Sequence, residues 1–179
     1  VQENLIINKT GSYQVAVKDG TLQWALEREG GTVNWHDTGH AVNTNVWSHI
    51  ALTFSTRDNM VYTYSDSVLV DSFFYNAASG DIQSSTSDLH IASKEGQASL
   101  FTGRIDEVRV WNQTRNAEEI QAQMNTHIEG DSAGLQGYWR FDSSDVDTVF
   151  DSSTNNNDGE ILGRLLPGDA RYHLDAQTP

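Results

Sequence analysis

Residues 103–124 read GRIDEVRVWNQTRNAEEIQAQM. The first half alternates as a strand does. Asp106, Val108 and Val110 fall on one face, and Ile105, Glu107, Arg109 and Trp111 on the other. The second half changes period. Asn116 is a good N-cap, and Glu119 stands three residues on, as in a capping box. Ile120 and Met124 then share a face, so a short helix is predicted from about Ala117 to Met124.

Outward from this stretch the chain is a series of short alternating runs broken by polar turns, the pattern of an all-β sandwich or barrel. Tyr13, Val15 and Val17 alternate, Asp19-Gly20 intervenes, and Leu22, Trp24 and Leu26 alternate again. Asp-Gly between two such runs predicts a type I′ hairpin. WSHIALTFS (47–55) places Ile50, Leu52 and Phe54 on one face. VYTYSDSVLVDSFF follows, with Ser65-Asp66-Ser67 as a turn between two strands. DLHIAS (88–93), GYWRFD (137–142) and EILGRLL (160–166) complete the strands, and residues 167–179 read as a tail or last strand.

Composition narrows the partners. The chain has 179 residues, 11 Lys and Arg against 25 Asp and Glu, and a net charge of −14. Such a surface repels nucleic acid and anionic membranes and suits divalent cations. With no cysteine, disulfides and thiolate metal sites are excluded. No apolar run is long enough to span a bilayer. The chain opens on a strand-like pattern, VQENLIINKT, which is the expectation for a piece of something larger.

Three stretches taken in order carry a family likeness: WSHIALTFS, GRIDEVRVWNQTRNAEEIQAQM, and GLQGYWRFD (134–142) with VFDSSTNNNDGEI (149–161). Together they resemble a laminin G-like domain, of the laminin-G and pentraxin-like branch of the concanavalin A-like lectin/glucanase superfamily. IINKTGSYQVAVKDGTLQWALE (6–27) is similar to that family's second hairpin. The resemblance implies a jelly-roll sandwich of two antiparallel sheets over residues 1–166. It implies a non-catalytic module, extracellular or on a cell surface, of the kind found in bacterial adhesion proteins. Carbohydrate or glycoprotein ligands, calcium, and neighbouring domains of a larger chain are its implied partners. The family's usual opening strands, with patterns such as xFDGxDDYV and FTxEAWV, do not occur here. GYWRFD and EILGRLL are the expected substitutes.

The paired carboxylates Asp106 and Glu107 admit three readings. Asp106 shares a face with two valines, so it needs hydrogen bonds or a cation to offset its desolvation. It is either a structural acceptor for backbone N–H groups or a calcium ligand. Glu107 with Arg109 is expected as an exposed ion pair. Catalysis fails on spacing. Retaining glycosidases need two carboxyls about 5–5.5 Å apart, and the superfamily's glucanases present them as E-x-D-x-E along one strand. Here the outer places hold Arg104 and Val108.

The stronger cation candidate is DSSTNNNDG (151–159). Asp151, Ser153, Asn155 and Asn157 supply oxygens at every second residue and Asp158 adds another, with Asp142, Asp145 and Asp147 nearby. The competing reading is an Asx-rich turn whose side chains bond their own backbone. Asn156 and Leu162 stand where an EF-hand needs Gly and Glu. HDTGH (36–40) is expected as a loop without ligand roles. Trp35 and Tyr75, in loop-like segments, are the candidate sugar-stacking rings; Trp111 and Trp139 are expected to pack. The functional readings are a carbohydrate-binding module, a structural spacer or protein-interaction domain, and, weakened by the missing acid pair, a polysaccharide-active enzyme.

Overall fold

The computed structural model describes residues 3–27, 34–75, 82–94, 99–145 and 147–162. In chain order its strands are β1 (Glu3–Lys9), β2 (Tyr13–Lys18), β3 (Thr21–Leu26), β4 (His36–Ala41), β5 (Ile50–Ser55), β6 (Met60–Ser65), β7 (Val68–Phe74), β8 (Leu89–Ile91) and β9 (Val108–Trp111). The helix α1 (Ala117–Gln123) follows, and then β10 (Leu135–Trp139), β11 (Thr148–Val149) and β12 (Gly159–Glu160). The expected tail, 167–179, and the end of EILGRLL lie outside the described residues.

The chain divides into two compact units, Val1–Thr102 with Thr114–Thr126, and Gly103–Gln113 with His127–Pro179. The first unit is a β-sandwich. One antiparallel sheet has the order β4-β3-β2-β1-β8 and the other β5-β6-β7. Alternation decides what lies between them. Val15, Leu22, Trp24, Leu26 and Val61 form the buried cluster, and Ile50, Leu52, Phe54 and Tyr75 pack against it. Trp24 is fully buried, and its ring meets His36 (4.7 Å between centroids), Phe73 (5.7 Å) and Tyr75 (6.1 Å).

Turn chemistry sets the registers. Asp19 and Gly20 both take positive φ, 52° and 85°, as a two-residue primed turn demands. The second hairpin turns on Asp66 and Ser67, with φ 50° and 64°. Ser65 is the last residue of β6 rather than part of the turn. At α1 the capping box is complete: Asn116 accepts from the Glu119 N–H, and the Glu119 carboxylate accepts from the Asn116 N–H.

One expectation is corrected. HDTGH is not a loop; it forms most of β4, because the Leu22 carbonyl and the edge of β3 give it strand partners. Of the two stretches expected to stand in for opening strands, GYWRFD contributes β10, which pairs with β9, and EILGRLL contributes Glu160 of β12, which pairs with β11; its residues 163–166 lie outside the described residues.

Truncating the ring at the centre of the sandwich tests this packing. Trp24→Ala should cost about 3–5 kcal/mol, read as a lower urea midpoint at an unchanged slope. A loss below about 1 kcal/mol would mean that the ring does not hold the sheets together.

Candidate functional site

The Asp106–Glu107 pair sits just before β9 and is not in a strand. Glu107 takes φ 53°, a left-handed conformation that breaks the expected alternation before Val108. Asp106 Oδ1 accepts the Glu107 N–H at 2.9 Å. Burial pushes its carboxyl above the usual range, and that N–H offsets only part of the rise.

Glu107 is no exposed ion pair. Its Oε2 accepts from the Arg109 guanidinium and from the Tyr138 hydroxyl, each at 2.6 Å. His127 Nδ1 lies 3.2 Å from Oε1. The side chains of Glu107 and Arg109 are only 27% and 10% exposed, since both sit against Tyr138, whose ring lies under the guanidinium. Burial alone would raise the Glu107 pKa. The Tyr138 and Arg109 bonds, with the charges of Arg109 and His127, outweigh it and hold the carboxyl below the ordinary range. A carboxylate pinned this way orients a network; it is poorly placed to take or give a proton at a substrate.

Asp151 is buried, 8% exposed, beside β10. Its Oδ1 accepts the N–H groups of Tyr138 and Ser153, both at 2.8 Å. Its Oδ2 accepts the Ser153 hydroxyl at 2.8 Å and the Asn157 N–H at 2.9 Å. Asp158 Oδ1 in turn accepts the Asp151 N–H at 2.8 Å. Asn155 and Asn157 aim their amide nitrogens at backbone carbonyls, Asn155 at those of Leu135 and Gln136 and Asn157 at that of Gln136. Four donors thus point at the one carboxylate that a cation would need first. Calcium requires six to eight oxygens facing inward, and the geometry of this loop does not fit it. Among the described residues, no three His, Asp or Glu side chains are grouped to hold a metal ion. Asp142 and Asp145 are also engaged, Asp142 by Arg140 at 2.7 Å and Asp145 by the N–H groups of Asp147 and Thr148.

The rings divide by face. Tyr75 is packed near Trp24, Phe54 and Phe73, and its hydroxyl donates to the Leu26 carbonyl. It serves the core rather than displaying a face to a sugar. His36, on β4, turns toward Trp24 and Phe73 and bonds Asp71 at 3.0 Å. Its chain neighbour Trp35 is half-buried, with Lys18 Nζ 4.2 Å from its ring centre and Lys18 also paired to Glu3 at 3.0 Å. Reasoning from the sequence passed over Trp47. Counted into the WSHIALTFS strand, it in fact precedes β5 and is 55% exposed, beside Val46 at 64%. The signal was its flank, where Asn43 and Asn45 are residues a strand disfavours.

A family model of laminin G type, described as the concanavalin A-like lectin/glucanases superfamily, matches residues 1–121, about two thirds of the chain. The chain belongs to that superfamily. Among solved structures it is similar to a candidate carbohydrate binding protein from Bacteroides ovatus, with a TM-score of 0.75 and 21% identity. The match covers 91% of this chain and 48% of that one, so this chain spans about half its length. At this identity the likeness is one of fold. An S-layer domain-containing protein from Clostridium thermocellum also matches, at 22% identity over 68% of this chain and 63% of that one. Its TM-score of 0.30 is too low for a structural comparison. No curated protein matches the sequence.

Two measurements follow from Asp151. Burial would raise its pKa, but the bonds from Ser153, Tyr138 and Asn157 hold it below the ordinary carboxylate range. A depressed native pKa contributes stability that is fully present above the unfolded value near 3.9 and is lost as pH falls through the native one. Stability should therefore decline below about pH 4, and Asp151→Asn should be less stable at pH 7 and lose less on acidification. Asp106, with its raised pKa, works in the opposite sense, so the comparison is of variant with parent at each pH. Chelator and calcium should leave the melting temperature of the parent chain unchanged; a calcium-dependent rise would show that the loop rearranges into a cation site.

Proposed function

We propose that this chain is a non-catalytic carbohydrate-binding module of a larger extracellular protein. The observation that carries the reading is a concanavalin A-like sandwich in which the superfamily's acid pair has no counterpart. Arg104 and Val108 stand on either side of Asp106, and the one adjacent acid, Glu107, is locked by Arg109 and Tyr138. The name of the Bacteroides ovatus neighbour supports the same class of ligand. The charge of −14 disfavours polyanionic partners, and among the described residues no helix is long and apolar enough to cross a membrane. A surface or adhesion setting is part of the proposal and rests on the family resemblance.

A second reading, a protein-interaction module, is favoured by β7, where Val68, Leu69 and Phe74 are 64%, 50% and 56% exposed. Such a row on a sheet edge is a surface on which another chain can add a strand.

A glycan microarray spanning neutral, amino and sulfated sugars, paired with a reducing-sugar assay on the same glycans, separates these. The expected outcome is saturable binding to at least one glycan class with no release of reducing ends. An array without binding overturns the carbohydrate reading, and turnover that disappears in Glu107→Gln overturns the non-catalytic one.

A further inference from the structure

Trp47 is the most exposed of the described tryptophans. Trp24 and Trp139 are buried, at 0% and 7% exposure, whereas Trp47 stands 55% exposed. Val46 beside it is 64% exposed, so the two side chains present adjoining apolar surface to water, and it is contiguous exposed apolar surface that marks contact sites.

The loop that carries it is fastened. Two residues beyond Trp47, the His49 N–H donates to Asp66 Oδ1 at 2.8 Å, and the Asp66 N–H donates to the His49 carbonyl at 2.8 Å. Asp66 itself is fixed in the tight β6–β7 turn. The base of the loop is therefore tied to a hairpin, which lowers the cost of ordering it on a ligand.

Chemistry along the loop selects the ligand. Residues 41–48 read AVNTNVWS, without a charged side chain, in a chain of net charge −14. Asn43, Thr44 and Asn45 are exposed. Their amides and hydroxyl both donate and accept, as sugar hydroxyls do. An indole offers a flat apolar face for the C–H side of a pyranose. The net charge of −14 disfavours sulfated and uronic sugars.

We propose that Trp47 is the stacking platform of a neutral-glycan site, with Asn43, Thr44 and Asn45 as its polar partners and Asp66 as a positioning residue. The proposal deepens the carbohydrate reading and depends on it.

The test is isothermal titration of the intact chain with cellohexaose, laminarihexaose and mannohexaose, and with a heparin hexasaccharide. The parent should bind at least one neutral hexasaccharide and not the heparin fragment. Trp47→Ala should weaken that binding about tenfold or more, while Trp47→Phe keeps most of it and both melt as the parent does. Asp66→Ala should lose several-fold in affinity, and Asp66→Asn, which keeps the acceptor, should restore it. Unchanged affinity in Trp47→Ala, loss confined to Trp35→Ala, unfolding of Trp47→Ala, or tighter binding of heparin would each overturn the site. If no neutral or anionic glycan binds the parent, here or on the array, the carbohydrate reading falls and takes the site with it.

Discussion

The burial of one ring, Trp24, between two unequal sheets is the contact on which the sandwich depends. It lies on β3, flanked by Leu22 and Leu26 on the same face, and it meets side chains from β4 and β7 as well as Tyr75 just beyond β7. A fully buried Trp contributes several kcal/mol of apolar burial and cannot be shifted by one residue without turning that face to water. Strand register in both sheets is therefore tied to its position. The same phase sorts the neighbours. His36 turns toward the Trp24 ring, with Phe73 half-exposed at its edge, and Trp35, one residue before His36, takes Lys18 as its partner instead. Which rings are left to meet a ligand is thus decided by which ring the core has taken.

The second unit relies on polar ties. Asp151 gathers the N–H groups of Tyr138, Ser153 and Asn157 and the Ser153 hydroxyl onto one buried carboxylate. Hydrogen bonds to a charged acceptor are among the stronger ones a protein makes. Here they tie together a loop of eight polar residues and a glycine. Gly130 belongs to the same arrangement. A Cβ there would lie 2.1 Å from the Ser152 carbonyl oxygen, while the Gly130 carbonyl accepts the Thr154 N–H. Glu107 does comparable work beside β9, drawing Arg109, Tyr138 and His127 together. Asp151 and Glu107 are thus each committed to donors of their own chain.

Much of the fold was legible because period-two alternation and turn chemistry are local. The hairpin at Asp19-Gly20, the inward set Ile50, Leu52 and Phe54, and the capped helix after Asn116 all follow from short-range rules. The failures came where distant residues decide. HDTGH carries weak strand propensity, yet β3 supplies the partners that make it β4. Glu107 was placed by alternation, but its positive φ ends the strand at Val108. In DSSTNNNDG the composition suits either a cation or a web of Asx turns. Only the direction of the Tyr138 and Asn157 N–H groups separates them, and Tyr138 lies on another strand. Tyr75 and Trp47 were misjudged for a similar reason: each stands outside a strand, just after β7 and three residues before β5, where sequence does not say whether a ring folds over the core or away from it.

The sorting of rings between core and surface is most directly measured through the indole N–H signals in a ¹H–¹⁵N correlation spectrum. The chain contains five Trp, so five resolved signals can be assigned by substitution and followed as a bound neutral oligosaccharide is added. The expected result is a saturating shift of the Trp47 signal, with the Trp24 signal unmoved and slow to exchange with solvent. A ligand that binds while Trp47 stays still, or a Trp24 N–H that exchanges as fast as an exposed one, would contradict the division between a ring that builds the sandwich and a ring that meets the sugar.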